Sequence, residues 1–176
     1  MPDSGVAAAQ LDHVPSCDTP TVALVVRPAR HHDFSRLLQI WRGAVEASHT
    51  FLTRADVDWY QSVVERYLPQ LNDLRVAVDQ EGNLVGFVAQ DEGEIYMLFV
   101  APDAQGRGVG TTLLEDVGAQ FSVVRLDVNE QNPSARAFYR ARGFEETGRS
   151  DLDGDRRPFP LIHLRRVTEP RPRPQP

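Results

Sequence analysis

The sequence predicts an α/β (α+β) domain in which a mixed β-sheet of about seven strands is flanked by about four helices. Short runs of β-branched and aromatic residues alternate with segments whose apolar residues recur at helical spacing. The predicted order of elements is β-α-α-β-β-β-α-β-α-β-β, which combines consecutive strands with helical crossovers. The chain has 176 residues, 41% of them hydrophobic, which suits one domain with its own core.

The first part of the chain contains one predicted strand and two predicted helices. Residues 21–27 form a β-branched run that ends at Pro28, which is typical of a short strand. Asp33 precedes an apolar helical stripe, so we expect it to cap the first helix. After a loop at residues 48–52, a second helical stripe ends before Pro69. The two stripes consist of Phe34, Leu37, Leu38, Trp41 and Val45, and of Val57, Tyr60, Val64 and Tyr67.

The middle of the chain predicts a β-hairpin followed by a central strand. Residues 75–78 and 84–90 are extended runs, and the five residues between them are rich in turn formers. The next strand, Glu94–Val100, is apolar on both faces in its second half. Strands of this kind are buried on both sides, so we expect it near the middle of the sheet.

The remaining elements follow the same alternation. From Val109 the apolar residues return to helical spacing, and residues 123–128 form another strand. Pro133 occupies a favoured first helical position with Asn132 before it as the cap, and this short helix is expected to end near Gly143. Residues 144–149 and 159–165 are the last two predicted strands.

Composition limits the function and the location of the protein. Residues 1–20 and 168–176 are rich in proline and are expected to be disordered, which leaves one domain at residues 21–167. A net charge of -6 disfavours binding to nucleic acid or an anionic membrane. The single cysteine, Cys17, provides neither a disulfide nor a thiolate metal site. Because no apolar segment approaches the roughly 20 residues of a spanning helix, we expect a cytoplasmic protein. No metal is expected, because His31, His32, Asp33 and His163 do not form a metal-ligand spacing.

A glycine-rich segment joins the central strand to the third helix. It consists of Gln105, Gly106, Arg107, Gly108, Val109, Gly110 and Thr111. The first turn of a helix offers unpaired N–H groups to an anion, and glycines let a phosphate approach the backbone. The segment lacks the Gly-Lys-Ser/Thr of a P-loop, since the chain has no lysine, and it lacks the full dinucleotide-binding pattern. A turn that merely connects strand and helix is the alternative interpretation.

Two motifs resemble the GNAT superfamily of N-acetyltransferases. Residues 98–110 (LFVAPDAQGRGVG) match the family pattern V-x-P-x-x-Q/R-x-x-G-x-G/A, and residues 132–144 (NPSARAFYRARGF) match N-x-x-A-x-x-F-Y-x-x-x-G-F. The resemblance covers residues 22–165 and implies the GNAT fold. Shorter segments, such as His49-Thr50-Phe51-Leu52 and residues 127–132, are similar to the YjaB-type group of small bacterial acetyltransferases.

The resemblance implies that acetyl-CoA is the acyl donor and assigns the residues that bind it. The backbone of Leu98, Phe99 and Val100 is expected to bind the pantetheine arm where the central strand splays from its neighbour. The segment from Gln105 to Thr111 is expected to bind the pyrophosphate, with Arg107 adding a complementary charge. Asn132 is expected to bond the pantetheine as well as to cap its helix.

The resemblance also implies direct transfer of acetyl to a primary amine. Tyr139 is the expected general acid, because a hydroxyl pKa of about 10 lies near that of a thiol, whereas Phe138 is expected to belong to the core. Asp127 is the expected general base, with Glu94, His49 or a water as rivals. His49 and Phe51 are expected to border the acceptor.

The acceptor and the assembly stay open at this point. A small amine, an amino-acid derivative, a protein lysine or a protein N-terminus would each serve as acceptor, and the protein is expected to be a monomer or a homodimer. A non-catalytic acyl-CoA sensor is an alternative, although the presence of Tyr139 argues against it. A purely structural α/β module is disfavoured by the two complete motifs.

Overall fold

The computed structural model describes residues 23–168. Its strands are β1 (Val25–Pro28), β2 (Asp73–Val78), β3 (Leu84–Asp91), β4 (Glu94–Val100), β5 (Val123–Asn129), β6 (Glu145–Ser150) and β7 (Leu161–Val167). Its α-helices are α1 (Phe34–Ser48), α2 (Arg54–Tyr67), α3 (Val109–Gly118) and α4 (Pro133–Arg140). Within this part of the chain, no helix is both long and apolar enough to cross a membrane.

The strands form one mixed sheet of seven strands in the order β1-β2-β3-β4-β5-β7-β6. Strands β1 to β4 are antiparallel to one another in sequence order. Strand β5 runs parallel to β4, and the pairs β5–β7 and β7–β6 are again antiparallel. The predicted fold class is therefore confirmed, and so are the hairpin of β2 and β3 and the central position of β4.

Helices cover both faces of the sheet. Phe99 of β4 packs edge-on against Trp41 of α1, with ring centroids 6.3 Å apart. The opposite face carries α3, because a Cβ atom on Gly86 of β3 would lie only 2.8 Å from Val109 and 3.2 Å from Leu113. Glycine at position 86 thus allows the helix to approach the sheet closely. The core lies in these two layers and includes side chains that are completely buried, among them Leu37, Phe87, Leu113 and Leu114.

The predicted capping role of Asp33 is wrong. The chain forms a 3-10 turn at His31–Asp33 before α1, so Asp33 already has helical torsion angles and its side chain makes no capping hydrogen bond to α1. Its buried carboxylate instead accepts the backbone N–H of Arg30 at 2.7 Å and the guanidinium of Arg27 at 2.8 and 3.1 Å. The hydrogen bond from Arg27 lowers the pKa of Asp33. The residue ties β1 to the start of α1.

The ends of the domain differ slightly from the prediction. Of the strand predicted at residues 21–27, the first two residues lie outside the described residues, and the observed strand is Val25–Pro28. The predicted leader also lies outside the described residues, as does the predicted tail apart from Thr168. The backbone N–H of Thr168 donates to the carbonyl of Ser122 at 2.8 Å, which continues the pairing of β7 with β5 by one residue.

Candidate active site

A cleft opens in the middle of the sheet because β4 and β5 separate. The two strands pair only through Glu94 and Ile95 of β4. Relative to β3, β4 has one extra residue, Tyr96, between Ile95 and Met97. A bulge of this kind bends its strand and interrupts pairing, so the remainder of β4 diverges from β5. The resulting cleft has a volume of ≈ 570 Å³.

The cleft connects the two faces of the sheet. Val124 of β5 pairs with Arg166, whose guanidinium lies beside Gly118 of α3. Because side chains alternate along a strand, Asp127 points to the opposite face, the one that α1 covers. His49 at the end of α1 lines the cleft as well. One opening of the cleft is therefore formed by α3 and α4, and the other by α1 and Asp127.

The glycine-rich segment forms the first of these openings. Gly106 and Gly108 have φ values of 76° and 83°, which only glycine adopts readily, and α3 begins directly afterwards. The N–H groups of the first turn of α3 have no intrahelical acceptor, and residues 108–111 line the cleft. Gly110 is needed for a different reason, since a Cβ atom there would lie 3.1 Å from the ring of Phe138. The structure thus has the geometry of an anion-binding turn.

Arg142 supplies a positive charge beside this turn. Its guanidinium lies 3.6 Å above the ring of Phe138 and donates to the hydroxyl of Thr111 at 2.6 and 3.0 Å and to the carbonyl of Phe138 at 2.8 Å. Among the residues that the structure describes, no carboxylate forms a salt bridge with Arg142. Sequence reasoning missed this residue because it occupies a variable position of the second motif, although its charge and its place near the end of α4 could have indicated it.

Arg107, by contrast, does not line the cleft. Its side chain lines a separate cavity of ≈ 210 Å³ together with Asp79 and Glu81. Of these two arginines, Arg142 is the one that lines the cleft.

The other residues predicted to bind the donor lie in the cleft wall. They are Leu98, Phe99, Val100, Gln105, Gly106, Gly108, Val109, Gly110, Thr111 and Asn132. From Met97 onwards β4 has no strand partner on the β5 side within the described chain, so backbone groups on that edge face the cleft. Asn132 is buried and caps α4, since its side-chain oxygen accepts the N–H of Ala135 at 3.1 Å and the hydroxyl of Ser134 at 2.9 Å.

Tyr139 is the more buried of the two aromatic residues on α4. Its side chain is 8% exposed, and its ring lies 5.1 Å from Phe138 and 5.5 Å from Phe144. Phe138, which was expected to be the core residue, is only partly buried; its ring lies beside Gly110 and lines the cleft. The Tyr139 hydroxyl has no hydrogen-bond partner among the described residues. Burial raises the pKa of Tyr139, so the hydroxyl stays protonated.

Asp127 lies at the opposite opening of the cleft. Its side chain is 47% exposed, and its Oδ1 atom lies 2.6 Å from Nδ1 of His163 on β7. Glu94, the rival base, is exposed at the start of β4 and does not line the cleft. Of these two carboxylates, the structure brings only Asp127 to the cleft.

His49 is held in one tautomer by its neighbour. The hydroxyl of Ser48 donates its single proton to the carbonyl of Ala44 at 2.6 Å, so it can only accept from Nδ1 of His49, which lies 2.8 Å away. The neutral imidazole therefore presents the lone pair of Nε2. Burial lowers the pKa of His49, which favours this neutral form. His49 also lines a second pocket of ≈ 330 Å³, so it stands between that pocket and the main cleft.

Phe51 packs against the ring of His49. It does not line the main cleft, but its ring lies 5.4 Å from His49 and 6.0 Å from Phe159 of the segment between β6 and β7. That segment is attached to α2 by hydrogen bonds from Tyr60 to Asp153 and from Arg157 to Asp56. These aromatic residues form one cluster that packs against His49.

The arrangement is that of an acyltransferase. An anion-binding turn and an unpaired strand edge suit a phosphate-bearing acyl carrier, and a carboxylate and an imidazole lie at the opposite opening. Among residues 23–168 no cluster of three or more His, Cys, Asp or Glu side chains could hold a metal ion.

Comparison with known proteins identifies the family. The acetyltransferase (GNAT) domain family matches residues 44–155. The chain belongs to this family and is an N-acetyltransferase that uses acetyl-CoA as the acyl donor. The resemblance inferred from the two motifs is therefore confirmed.

Similar proteins cover most of the chain. The peptidyl-lysine N-acetyltransferase YjaB of Salmonella typhimurium is 37% identical over 139 residues, which are 79% of this chain and 95% of that protein. YjaB of Escherichia coli is 35% identical over 143 residues, covering 81% of this chain and 97% of that protein. The solution structure of apo-form YjaB from Escherichia coli superposes with a TM-score of 0.78 over 84% of this chain and 99% of that one.

Proposed function

We propose that the protein acetylates the ε-amino group of lysine in polypeptides. The observation that carries the proposal is the cleft that crosses the sheet between β4 and β5, with an anion-binding turn at one opening and Asp127 at the other. The two YjaB proteins, which are named for acetylating peptidyl lysine, are similar to this chain over nearly their whole length. The single cysteine and the use of acetyl-CoA suit a cytoplasmic enzyme.

The residues present fit acetyl-CoA. The first turn of α3 and the guanidinium of Arg142 suit its phosphate groups, since both offer positive charge without a carboxylate partner among the described residues. The unpaired edge of β4 from Met97 to Val100 suits the amide groups of its pantetheine arm, which can hydrogen bond like a neighbouring strand. When bound, acetyl-CoA supplies the activated thioester. We propose that Asn132 bonds the same arm.

The charge at the opposite opening suits a cationic acceptor. Asp127 lines the cleft. Desolvation, and then the charges of three nearby carboxylates, raise the pKa of Tyr96 at the bulge; the carboxylates are Asp91, Glu94 and Glu92. Opposite charges attract an ammonium ion to this opening. We propose that Nε2 of His49 accepts a hydrogen bond from the same amine, and that Phe51 holds the His49 ring in place for this contact.

Two residues are proposed to move protons. Asp127 accepts one proton from the ammonium ion, which frees the nitrogen lone pair for attack. Tyr139 donates its hydroxyl proton to the sulfur as the C–S bond breaks, and regains a proton from the nitrogen as the amide forms. The tyrosine must regain a proton as it loses one, because its pKa is raised and a buried phenol is a weaker acid than the thiol it protonates. We therefore propose a concerted exchange of protons rather than a transfer between groups of matched pKa.

Measurement of thiol release with a matched set of acceptors tests the proposal. The set comprises a peptide with an acetylated N-terminus and one lysine, the same peptide with arginine in place of lysine, a lysine-free peptide with a free N-terminus, and small amines. We expect release with the lysine peptide and none with its arginine counterpart. Faster release with the free N-terminus or with a small amine would overturn the lysine assignment. Acetyl-CoA binding without release for any acceptor would support the sensor alternative.

A further inference from the structure

Three polar side chains on adjacent strands form a hydrogen-bonded chain that ends at the cleft. Asp127 of β5 and His163 of β7 are directly opposite in the sheet, and Oδ1 of Asp127 lies 2.6 Å from Nδ1 of His163. On the other side of the ring, Nε2 of His163 lies 2.8 Å from the hydroxyl oxygen of Ser150 on β6. The three residues are distant in sequence, and strand register alone brings them together.

The order of donors and acceptors in this chain follows from its chemistry. A carboxylate only accepts hydrogen bonds, so Nδ1 of His163 carries a proton and donates it to Asp127. In the neutral ring, Nε2 then accepts from the Ser150 hydroxyl, and in the protonated ring it donates to the same oxygen. Ser150 can thus hold the ring in both states by rotating its hydroxyl. In each state Oδ1 of Asp127 is engaged, which leaves Oδ2 for the acceptor amine.

A Ser-His-Asp arrangement is also found in hydrolases, where the serine is the nucleophile. Here the two ends of the chain differ in their access to the cleft. Asp127 lines the cleft, whereas Ser150 does not. The arrangement therefore differs from that of a hydrolase, because the carboxylate and not the serine lies at the cleft.

We propose that His163, held by Ser150, is a positioning residue that fixes the carboxylate of Asp127 towards the acceptor amine. The inference rests on the proposed function, since it assumes that Asp127 handles the amine. Asp127 is on a strand next to the cleft but is nearly half exposed, so without His163 its side chain can rotate among rotamers that face solvent. Catalysis depends on holding such a group to within about 1 Å, a displacement that can cost about 100-fold in rate.

A matched pair of amide substitutions tests the proposal. The amide nitrogen of His163→Asn can occupy the place of Nδ1 and donate to Asp127, whereas that of His163→Gln lies near the place of Nε2 and can contact only Ser150. We expect His163→Asn to keep most of the kcat/KM for the lysine peptide and His163→Gln to lose about 10- to 100-fold. The Kd for acetyl-CoA and the melting temperature are expected to be equal in the two variants. His32→Gln, at an exposed histidine outside the cleft, is the control for a change of this type.

The possible outcomes separate this proposal from the proposed function. Equal activity of His163→Asn and His163→Gln would overturn the positioning role. If Asp127→Asn itself has wild-type activity, the role of Asp127 falls, and the positioning proposal falls with it. Nitrogen-15 NMR of the His163 ring tests the chain without any assay of turnover. We expect a proton on Nδ1 in the wild type, and an Nδ1 without a proton would contradict the proposal.

Discussion

Substitution of Tyr139 by phenylalanine should separate catalysis from stability. The side chain is 8% exposed, and its hydroxyl has no hydrogen-bond partner among the described residues. Because the hydroxyl lies at the cleft without a partner among residues 23–168, its removal deletes no hydrogen bond within them. The free energy of unfolding should therefore change by less than about 1 kcal/mol, in either direction.

The effect on turnover should be much larger. General acid catalysis contributes about 10²- to 10⁴-fold in rate, which corresponds to about 3 to 5 kcal/mol of transition-state stabilisation. The kcat for the lysine peptide should fall by this factor, while the Kd for acetyl-CoA measured by calorimetry should stay within about twofold. The ring of phenylalanine keeps the contacts with Phe138 and Phe144.

Two controls make the result interpretable. Tyr67→Phe removes a hydroxyl from a tyrosine that is 51% exposed on α2 and should leave both kcat and stability unchanged. Urea denaturation of all three proteins gives the change in stability. An unchanged kcat in Tyr139→Phe would refute the assignment of Tyr139 as the proton donor, and a loss of several kcal/mol in stability would refute the claim that its hydroxyl is unpaired.

Three further predictions test the rest of the site. The first concerns the charge beside the glycine turn: Arg142→Gln should weaken acetyl-CoA binding by about 10- to 100-fold at low salt, since charged hydrogen bonds contribute about 1.5 to 3 kcal/mol, whereas Arg140→Gln, at a 74% exposed side chain, should not; equal Kd values by calorimetry would count against the Arg142 site. Because the pKa of His49 is lowered from 6.5 in the folded protein, the unfolded chain takes up the proton first, so stability should fall as the pH drops below 6.5; His49→Gln should flatten this part of the urea-denaturation pH profile. Gly108→Ala forces alanine to a φ of 83° and should cost about 1 to 2 kcal/mol, seen as a lower melting temperature, while Gly154→Ala has open space and should cost nothing comparable.

Local periodicity was sufficient to predict the order of helices and strands. The change from alternating to helical spacing around Val100 and Val109 located β4 and α3, and the Asn132-Pro133 pair located the start of α4. These features depend on residues close together in the sequence. The capping role of Asp33 was wrong because its partner, Arg27, comes from β1 and could not be identified from helix-capping patterns.

The site was harder to predict where it depends on side-chain direction. Arg107 and Arg142 carry the same charge, but only the structure shows that Arg142 packs on Phe138 and faces the cleft while Arg107 faces another cavity. Similarly, the residue order on α4 did not show that Tyr139 would be more buried than Phe138.

Long-range register accounts for what sequence reasoning missed. Asp127 was selected as an isolated carboxylate, yet its partner His163 is 36 residues away and is brought beside it by the pairing of β5 with β7. The bulge at Tyr96, which opens the cleft, likewise depends on how β4 pairs with β3. No local pattern specifies either feature.

Mass spectrometry of a single reaction mixture tests the central claim most directly. The wild-type protein is incubated with acetyl-CoA and the lysine peptide, and the acetyl group is then located on both the peptide and the protein. Direct transfer through the cleft predicts acetylation at the ε-nitrogen of the peptide lysine, one CoA released per acetyl group transferred, and no acetylated side chain on the enzyme. An unmodified lysine, or an acetyl group that first accumulates on a residue such as Ser150, would contradict the account.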